Sequence, residues 1–483
     1  MRRDRIFIDG GWDEPTGGAP FPLPDPATEA SVAEAPEGSR ADMERAIDAA
    51  RRAFDAGPWR KTTPRDRARV LEALADRVEA RKEAFRDLLV RTVGATALTH
   101  PVQLDAAIDH LRAYAEIAGE LELDEVLPER AERGRVVSSI AHRQPAGVCG
   151  LIPTWNFPLY VTVQKIGPAI AAGCTMVVKP SPFAPLADLV LADAVEECDV
   201  PRGVYNVVCG RSPELGVALT ESPAVDKISF TGSVVTGRAI ARAAADTLKR
   251  VHLELGGKSA AIVLEDADVD ASIAALASPA YFHAGQGCAL ATRVLVPRHL
   301  HEEVVEKLAA FVRAFVRMGA PSDPKTTLGP LVREERRAAV EAVIASGVEE
   351  GATLVTGGRR PPELPRGFFL EPTIFANVDN GMRVAREEIF GPVLCVVPYD
   401  GVEHAIAIAN DSRYGLSGVI VTRDPDKAID IAKRLRTGGV SINYANHAAV
   451  TPFGGFKESG IGREGGRFGI FEMTEVQRIS WRS

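Results

Sequence analysis

The pattern of hydrophobic and polar positions divides the chain into a helical N-terminal region and a longer region of alternating strands and helices. Apolar residues such as Val70 and Leu74 recur every three to four positions, which predicts a long amphipathic helical region over residues 64–93. The same spacing predicts helices over residues 41–54 and 104–120. These helices are predicted to form a scaffold, with their Arg- and Glu-rich faces in solvent.

From about residue 136 the chain alternates between short apolar runs and segments with helical spacing. The apolar runs over residues 147–152, 175–179, 204–208, 227–230 and 250–254 predict strands. Strands that alternate with helices indicate a parallel sheet with helices on both faces. A sheet of this kind binds its ligands at the carboxyl ends of its strands, so the residues that follow these runs are the first candidates for a site.

A second alternating region extends from about residue 259 to residue 440, and a glycine-rich segment follows it. Its predicted elements are strands over 260–264, 292–296, 393–397 and 417–422, and helices over 300–315 and 333–348. The chain ends in a strand-like segment at 475–481, whereas the Pro-rich stretch 20–26 is predicted to be a loop. The whole pattern predicts an α/β protein.

Length, charge and cysteine usage limit the functional class. The 483 residues predict about three domains. The 57 Lys and Arg residues against 65 Asp and Glu residues give a net charge of −8, which argues against nucleic acid or an anionic membrane as a partner. The six cysteines show no CxxC pair and no metal-binding spacing, and no signal peptide or membrane span is evident. We expect a cytoplasmic protein without a metal site.

One cysteine, Cys288, follows a Gly-Gln-Gly turn at residues 285–287. Glycines on both sides of Gln286 allow a sharp bend and a close approach to a ligand. A thiol in such a turn is a candidate nucleophile for a carbonyl carbon, provided that a base or a positive field populates the thiolate. A buried structural cysteine is the alternative, and this motif alone favours it.

Two further residues could serve a thiol nucleophile. Glu254 ends an apolar strand before a Gly-Gly break, and desolvation there would raise its pKa and favour a general-base role. Asn156 follows the strand that ends at residue 152, and its amide could donate a hydrogen bond to a developing oxyanion. The alternative for Asn156 is a capping role in a Pro-bounded loop.

Two turns at strand ends suit a nucleotide. Residues 230–233, Phe-Thr-Gly-Ser, follow a strand and open a helix whose free N–H groups and positive dipole end suit a pyrophosphate. Lys179 ends another strand and would point toward a ribose or a phosphate. An ordinary strand-to-helix turn and a surface lysine are the alternatives. Residues 387–392 form a further acidic turn, for which a helix-end charge pair is the alternative.

Seven motifs, in this order, together resemble those of the aldehyde dehydrogenase superfamily. They are Asn156, Lys179, Phe-Thr-Gly-Ser at 230–233, Leu-Glu-Leu-Gly-Gly at 253–257, Gly-Gln-x-Cys at 285–288, Glu-Ile-Phe-Gly-Pro at 388–392 and Pro-Phe-Gly-Gly-Phe-Lys-x-Ser-Gly at 452–460. The resemblance covers the chain from about residue 5 to its end and implies nicotinamide-dependent oxidation of an aldehyde to a carboxylic acid.

The resemblance also implies a fold and an assembly. The expected fold is α/β, with a Rossmann-type cofactor domain, an α/β catalytic domain and a small β arm for oligomerisation. The expected boundaries are 1–121 and 144–255 for the cofactor domain, 256–445 for the catalytic domain, and 122–143 and 446–483 for the arm and the C-terminal segment. The arm would extend the sheet of a neighbouring subunit, so a dimer or a tetramer is expected.

In the chemistry that the resemblance implies, Cys288 is the nucleophile and forms a thiohemiacetal. The Asn156 amide and the Cys288 N–H would hold the oxyanion, hydride would pass to the nicotinamide, and Glu254 would activate the water that hydrolyses the thioester. Two alternatives remain. A CoA-acylating relative would lack the glutamate at position 254, and a catalytically silent relative would have lost the thiol, the base or the oxyanion donor.

Carried over to this sequence, Lys179 and Glu388 would bind the riboses of the cofactor, Ser233 the pyrophosphate, and Phe390 would pack beside the nicotinamide ribose. NAD is the expected cofactor. NADP or dual use stays open, because Pro182 stands where an acidic residue often binds the 2′-hydroxyl. The expected cofactor-binding residues are Ile152, Pro153, Thr154, Trp155, Lys179, Ser181, Pro182, Gly210, Phe230, Gly232, Ser233, Thr236, Leu255, Gly256, Glu388 and Phe390.

The positions that line the substrate tunnel of the family are Phe157, Tyr160, Phe282 and Phe453 in this chain. Such a pocket favours an apolar aliphatic, alicyclic or terpenoid-like aldehyde, although an aromatic stripe can equally belong to the core. His283 replaces the asparagine that the family usually has, and a packing or capping role is favoured for it over catalysis.

Overall fold

The computed structural model describes residues 4–133, 135–445 and 448–482. Its strands are β1 Ile6–Ile8, β2 Gly11–Asp13, β3 Phe21–Pro24, β4 Ser31–Ala35, β5 Asp124–Glu132, β6 Arg135–Pro145, β7 Val148–Ile152, β8 Thr175–Val178, β9 Tyr205–Val207, β10 Lys227–Thr231, β11 Arg250–Glu254, β12 Ser259–Val263, β13 Ala291–Pro297, β14 Thr353–Thr356, β15 Thr373–Ala376, β16 Val393–Tyr399, β17 Ser417–Val421, β18 Gly439–Ile442, β19 Gly460–Ile461 and β20 Thr474–Arg482. Its α-helices are α1 Arg40–Ala56, α2 Pro64–Ala80, α3 Lys82–Val93, α4 Ala106–Gly119, α5 Pro158–Ala172, α6 Pro185–Glu196, α7 Glu214–Glu221, α8 Val234–Ala245, α9 Val269–Tyr281, α10 His301–Phe315, α11 Glu334–Glu349, α12 Arg383–Arg386, α13 Gly401–Asn410, α14 Pro425–Ala432 and α15 Gly466–Glu472.

The first large sheet has the strand order β19-β11-β10-β7-β8-β9-β1-β2. Its central strands β11, β10, β7, β8 and β9 are parallel, because helices connect them and return the chain to the same end of the sheet. The register pairs Phe230 with Ile152 and Thr231 with Glu254. The carboxyl ends of β7, β10 and β11 therefore lie side by side, and the residues that follow them share one edge.

The second large sheet has the order β14-β15-β16-β13-β12-β17-β18, and all its pairings are parallel except that of β14 with β15. Strands β12, β13 and β16 are apolar along nearly their whole length and buried, as expected for strands that helices cover on both faces. Each large sheet has its own hydrophobic core. The α/β fold class that the sequence predicted is confirmed.

A third sheet consists of β20, β6 and β5 in antiparallel order. The C-terminal strand β20 pairs with β6 from Thr474 opposite Pro145 to Arg482 opposite Val137. This small sheet exposes several large apolar side chains, namely Val126, Val476, Ile479 and Trp481. Strand β19, just before it in the chain, instead pairs antiparallel with β11 at the edge of the first sheet.

Three elements differ from the sequence prediction. The helical region 64–93 is two helices that meet at Arg81. The spacing of apolar residues predicts a helix over residues 164–172, but helix α5 begins six residues earlier, at Pro158, because Pro is well suited to the first turn of a helix. The predicted loop at 20–26 contains strand β3, which pairs only with β4, so its prolines do not remove hydrogen bonds from a central strand.

Two further properties concern possible partners. No helix in the described part of the chain is long and apolar enough to cross a membrane. Among residues 4–133, 135–445 and 448–482, no group of three or more His, Cys, Asp or Glu side chains is arranged to hold a metal ion.

Candidate active site

A cavity of about 870 Å³ lies where the carboxyl edge of the first sheet meets loops of the second region. The three residues that the sequence predicted for the chemistry, Cys288, Glu254 and Asn156, all line it. They come from separate parts of the chain, since Asn156 follows β7, Glu254 ends β11 and Cys288 follows α9. The fold therefore brings a thiol, a carboxyl group and an amide to the wall of one cavity.

The loop that carries Cys288 makes a tight turn directly after α9. His283, Ala284 and Gly285 have φ angles of 49°, 54° and 73°, so two non-glycine residues adopt the left-handed region in succession. Backbone of this kind costs about 1–3 kcal/mol per residue and persists only where its surroundings hold it. Gln286 supplies such support, because its side chain donates to the His283 carbonyl at 3.0 Å and accepts from the Val332 N–H at 2.9 Å.

Asn156 contacts this loop directly. It lies between β7 and α5 and is buried, and its Nδ2 donates to the carbonyl oxygen of Gln286 at 2.8 Å. Its Oδ1 is also buried and has no hydrogen-bond partner among the described residues. The amide nitrogen thus contacts the loop two residues before Cys288, which keeps Asn156 a candidate for the oxyanion donor that the sequence predicts.

Glu254 is buried, and neither of its carboxyl oxygens has a hydrogen bond within the described part of the chain. Its Oε1 lies 3.3 Å from Nε2 of His252. Burial, and then the negative charge of Glu464, raise the pKa of the Glu254 carboxyl well above its usual value. A carboxylate with a raised pKa is a stronger base, and this makes Glu254 suited to accept a proton near neutral pH.

The Cys288 thiol lies in surroundings that oppose its ionisation. Burial, and then the nearby carboxylates of Glu388 and Glu254, raise the pKa of Cys288 to about 12. The thiol is therefore protonated at neutral pH in this state, and a nucleophilic role requires a base that removes its proton. Glu254 lines the same cavity and is close enough for its charge to act on the sulfur.

Half of the predicted cofactor residues line the same cavity. These are Thr154, Trp155, Gly232, Ser233, Leu255, Gly256, Glu388 and Phe390. Ser233 caps helix α8 and accepts the N–H of Thr236 at 3.2 Å, so the positive end of this helix opens toward the cavity. Trp155 and Phe390 contact each other edge to face, with ring centroids 5.6 Å apart.

Glu388 and Gly256 are held together in this part of the wall. Glu388 Oε1 accepts the N–H of Gly257 at 3.1 Å, and burial raises the pKa of its carboxyl to about 7. A Cβ at position 256 would lie 2.2 Å from Glu388 Oε2, so only glycine leaves room there. Thr231 Oγ1 is buried nearby without a partner in the described chain. A helix N-terminus, an acidic side chain and an unpaired hydroxyl fit a dinucleotide.

The other predicted cofactor residues do not line the cavity. They are Ile152, Pro153, Lys179, Ser181, Pro182, Gly210, Phe230 and Thr236. The ring of Phe230 supports the wall from behind, because a Cβ at Gly232 would lie 2.4 Å from it. Lys179 is buried at the end of β8, where its Nζ donates to the Pro180 carbonyl at 3.3 Å and burial lowers its pKa.

All four residues predicted for the substrate pocket, Phe157, Tyr160, Phe282 and Phe453, line the cavity. The rings of Phe157 and Phe282 are stacked with centroids 6.2 Å apart. The His283 ring lies 5.3 Å from that of Phe157, and neither of its nitrogens has a partner among the described residues. Burial lowers the pKa of His283 to about 4, so it adds no positive charge to this wall.

Sequence reasoning missed several residues of the cavity wall. Val161 and Gln164 follow Phe157 and Tyr160 by four positions on α5, a spacing that would have revealed them if the helix start had been predicted correctly. Other missed residues had no motif to mark them, namely Val102, Phe183, Leu290, Arg333, Arg336 and Glu464. Thr231 lies within the motif at 230–233 but was not among the predicted site residues.

The fold and the cavity define the class of protein. A thiol, a carboxyl group and an amide share a cavity with the N-terminus of a helix from a nucleotide-binding type of sheet, which is the arrangement of an oxidoreductase that works through a cysteine. The aldehyde dehydrogenase family profile matches residues 12–479. The chain therefore belongs to the aldehyde dehydrogenase family, and the predicted class of enzyme, an oxidoreductase that acts on aldehydes, is confirmed.

Individual relatives are similar over nearly the full length. The chain is 41% identical over 477 residues to 3-succinoylsemialdehyde-pyridine dehydrogenase of a Pseudomonas species, with 98% of each chain covered. It is 42% identical over 460 residues to geranial dehydrogenase of Castellaniella defragrans, with 95% of each chain covered.

Solved structures show the same similarity. An aldehyde dehydrogenase of Mycobacterium tuberculosis in complex with NAD+ superimposes with a TM-score of 0.95 at 44% identity, covering 99% of this chain and 98% of that one. A mutant of aldehyde dehydrogenase C from Pseudomonas syringae, in complex with NAD+ and octanal, superimposes with a TM-score of 0.94 at 40% identity, covering 99% and 96%.

Proposed function

We propose that this protein oxidises an apolar aldehyde to the carboxylic acid with NAD as the cofactor. One observation carries the proposal: Cys288, Asn156 and Glu254 line one cavity together with the N-terminus of α8. Nucleophile, oxyanion donor and base are the groups that this reaction requires. Similar solved structures contain NAD+, which supports the choice of cofactor.

The first step is the attack of the Cys288 sulfur on the aldehyde carbon. Glu254 accepts the thiol proton, the carbon–sulfur bond forms and the carbonyl π electrons move to oxygen. The Asn156 amide and the Cys288 backbone N–H then donate hydrogen bonds to this oxyanion. The raised pKa values of the Cys288 thiol and the Glu254 carboxyl are consistent with a proton that moves between the two groups.

The second step removes hydride and then releases the acid. When bound, NAD supplies the acceptor for the hydride that leaves the former aldehyde carbon. The acyl group stays on Cys288 as a thioester. Glu254 first releases the thiol proton to solvent and then takes a proton from a water molecule, which attacks the acyl carbon. The carboxylic acid leaves as the carbon–sulfur bond breaks, and the Cys288 sulfur regains a proton.

The cofactor would be held by the wall that contains Ser233, Gly256, Glu388 and Phe390. NAD is favoured over NADP because of Glu37, which no motif indicated. Its carboxylate accepts from Arg211 Nε at 2.6 Å and is close enough to act electrostatically on Lys179. A 2′-phosphate beside Lys179 would meet this carboxylate, whose charge Arg211 partly offsets. Glu37 is therefore a candidate for the acidic group that Pro182 does not provide.

An apolar substrate is supported by the aromatic wall around Phe157, Phe282 and Phe453 and by the apolar side chains of Val102 and Leu290. Two similar proteins involve apolar aldehydes: one is named geranial dehydrogenase, and the structure of the other contains octanal. A panel that compares octanal and geranial with charged aldehydes of similar length tests this. A preference for the charged aldehydes would contradict it.

The large sheets suggest how the chain is divided. We propose the cofactor domain at 1–121 and 144–255 and the catalytic domain at 256–445, with the arm and C-terminal segment at 122–143 and 446–483. The exposed apolar residues of β5 and β20 favour self-association through this arm, as a dimer or a tetramer. Light scattering of the purified protein measures the number of subunits.

Product analysis tests the reaction. We expect equal amounts of acid and NADH from an aldehyde and NAD, and no activity for Cys288→Ala. Glu254→Gln should form the thioester slowly, because it lacks the base for the thiol, and the thioester that forms should persist. Cys395→Ala is a matched control, because Cys395 is buried in β16 outside the cavity, and it should stay active. Full turnover by Cys288→Ala would contradict the proposal, and acyl-CoA formation on addition of CoA would favour the CoA-acylating alternative.

A further inference from the structure

A buried polar cluster lies behind Glu254 and consists of Lys165, Ser229, His252 and Glu464. Lys165 Nζ donates to Glu464 Oε1 at 2.7 Å and to Ser229 Oγ at 3.1 Å. Ser229 Oγ is 3.0 Å from His252 Nδ1, and the two residues face each other across strands β10 and β11. His252 is two residues from Glu254 on β11, so both side chains project from the same face of the sheet.

The donors and acceptors in this cluster fix the position of the His252 proton. Lys165 is ion-paired with Glu464, and an ammonium group can only donate. Ser229 Oγ accepts from Lys165, so its hydroxyl proton can be donated to His252 Nδ1. Nδ1 lies nearer to this hydroxyl, at 3.0 Å, than to Glu464 Oε1, at 3.6 Å. Burial, and then the charges of Lys165, Lys227 and Arg463, keep the pKa of His252 well below its usual value. These surroundings disfavour a charged ring, and in the neutral ring an Nδ1 that accepts from Ser229 leaves the proton on Nε2.

This proton faces the carboxyl group of Glu254. The distance from His252 Nε2 to Glu254 Oε1 is 3.3 Å, slightly longer than a well-formed hydrogen bond. Both Glu254 oxygens, and Nε2 itself, have no hydrogen bond among the described residues. A small rotation of the carboxyl group would let His252 Nε2 donate to Glu254 Oε1, which gives each of these two atoms a partner. A buried polar group without a partner is costly, so this contact should form.

We propose that His252 is a positioning residue for Glu254, which it holds and supports as a carboxylate through an Nε2–H hydrogen bond. The proposal rests on the proposed function, in which Glu254 is the base. The bond favours the charged form of a carboxyl group whose pKa burial and Glu464 raise, and it orients the oxygen that must receive the proton. Lys165 and Ser229 act on Glu254 indirectly, because they favour the His252 tautomer that has its proton on Nε2.

Two variants of His252 distinguish the effect of its Nε2–H donor from the effect of the packing of its ring. His252→Gln keeps an amide N–H near the position of Nε2, whereas His252→Leu has a similar volume and no donor. We expect the rate of thioester hydrolysis, measured by rapid quench after a single turnover, to fall about tenfold or more in His252→Leu and to recover to within about threefold of the native rate in His252→Gln. The KM for aldehyde and the affinity for NAD should stay unchanged in both.

Two results would overturn the proposal. One is native hydrolysis in a folded His252→Leu variant, and the other is an equal loss in His252→Gln and His252→Leu, which would indicate packing alone. Neutron diffraction gives a test that needs no activity: deuterium on Nε2 of His252 supports the proposal, and deuterium on Nδ1 contradicts it. If the native protein forms no NADH from any aldehyde, the proposed function fails, while the neutron result still decides the placement of the proton.

Discussion

The ionisation of Cys288 gives the sharpest prediction, because the structure indicates both how far the pKa of this thiol is raised and which groups raise it. The pKa of this thiol rises from an ordinary 9.0 to about 12, through burial first and the charges of Glu388 and Glu254 next. A rise of this size lowers the thiolate fraction at neutral pH about 1000-fold, equivalent to about 4 kcal/mol. Because a thiol is an acid, a raised pKa lowers the fraction of thiolate at every pH below that pKa.

Alkylation with iodoacetamide measures this fraction directly, since the thiolate is the reacting form. In the protein without cofactor, the rate at Cys288 should rise about tenfold per pH unit from pH 7 to pH 10 without a plateau. The other five cysteines are buried and serve as internal controls in the same mass spectra. Glu388→Gln removes a like charge, so at a fixed pH it should react faster than the native protein.

An alkylation rate that levels off between pH 9 and pH 10 would refute the reasoning, because it would show that the thiol ionises as an ordinary cysteine does. A slower rate in Glu388→Gln would refute the assigned role of that carboxylate. The variant Cys288→Ala confirms which peptide carries the label.

The remaining predictions concern the oxyanion donor, the pocket, the turn and the cofactor. Asn156→Ala should lower kcat about 100-fold or more in NADH assays. Phe157→Ala should lower kcat/KM for octanal about tenfold but change that for propanal little, as parallel kinetics would show. Gly285→Ala should lower the melting temperature, because its φ is +73° and a Cβ would lie 2.1 Å from the Gly391 carbonyl. Glu37→Gln should raise the NADP/NAD ratio of kcat/KM, and an unchanged ratio would contradict its role.

Much of the fold, and the presence of the three candidate residues at one cavity, could be predicted from sequence, because both depend on local signals. Apolar runs that alternate with helical spacing predict a parallel sheet, and the residues at the carboxyl ends of its strands follow from that topology. Cys288, Glu254 and Asn156 each stand beside such a signal, a glycine turn or a strand end. The shared edge of Asn156 and Glu254 then follows from the register of β7, β10 and β11, whereas the position of Cys288 depends on the loop after α9.

What the sequence did not predict depends on contacts between distant segments. Glu37 approaches Lys179, and Glu464 approaches Glu254, only because separate loops pack on the same edge of the sheet. His252 looked like an interior strand residue, and its proton position depends on Ser229 across the sheet. Strand β3 was missed because prolines argue against a strand, although a two-stranded ribbon tolerates them.

Strand β19 has a practical consequence for anyone who handles this protein. Gly460 pairs with Glu254 itself, and twelve or so residues later the chain enters β20 and crosses the small sheet. The C-terminal segment thus pairs along the edge of the strand that carries Glu254. A purification tag or a fusion partner is better attached at the N-terminus. Strain or proteolysis at the C-terminus would disturb β20 and, through the short segment before it, the pairing of β19 with β11.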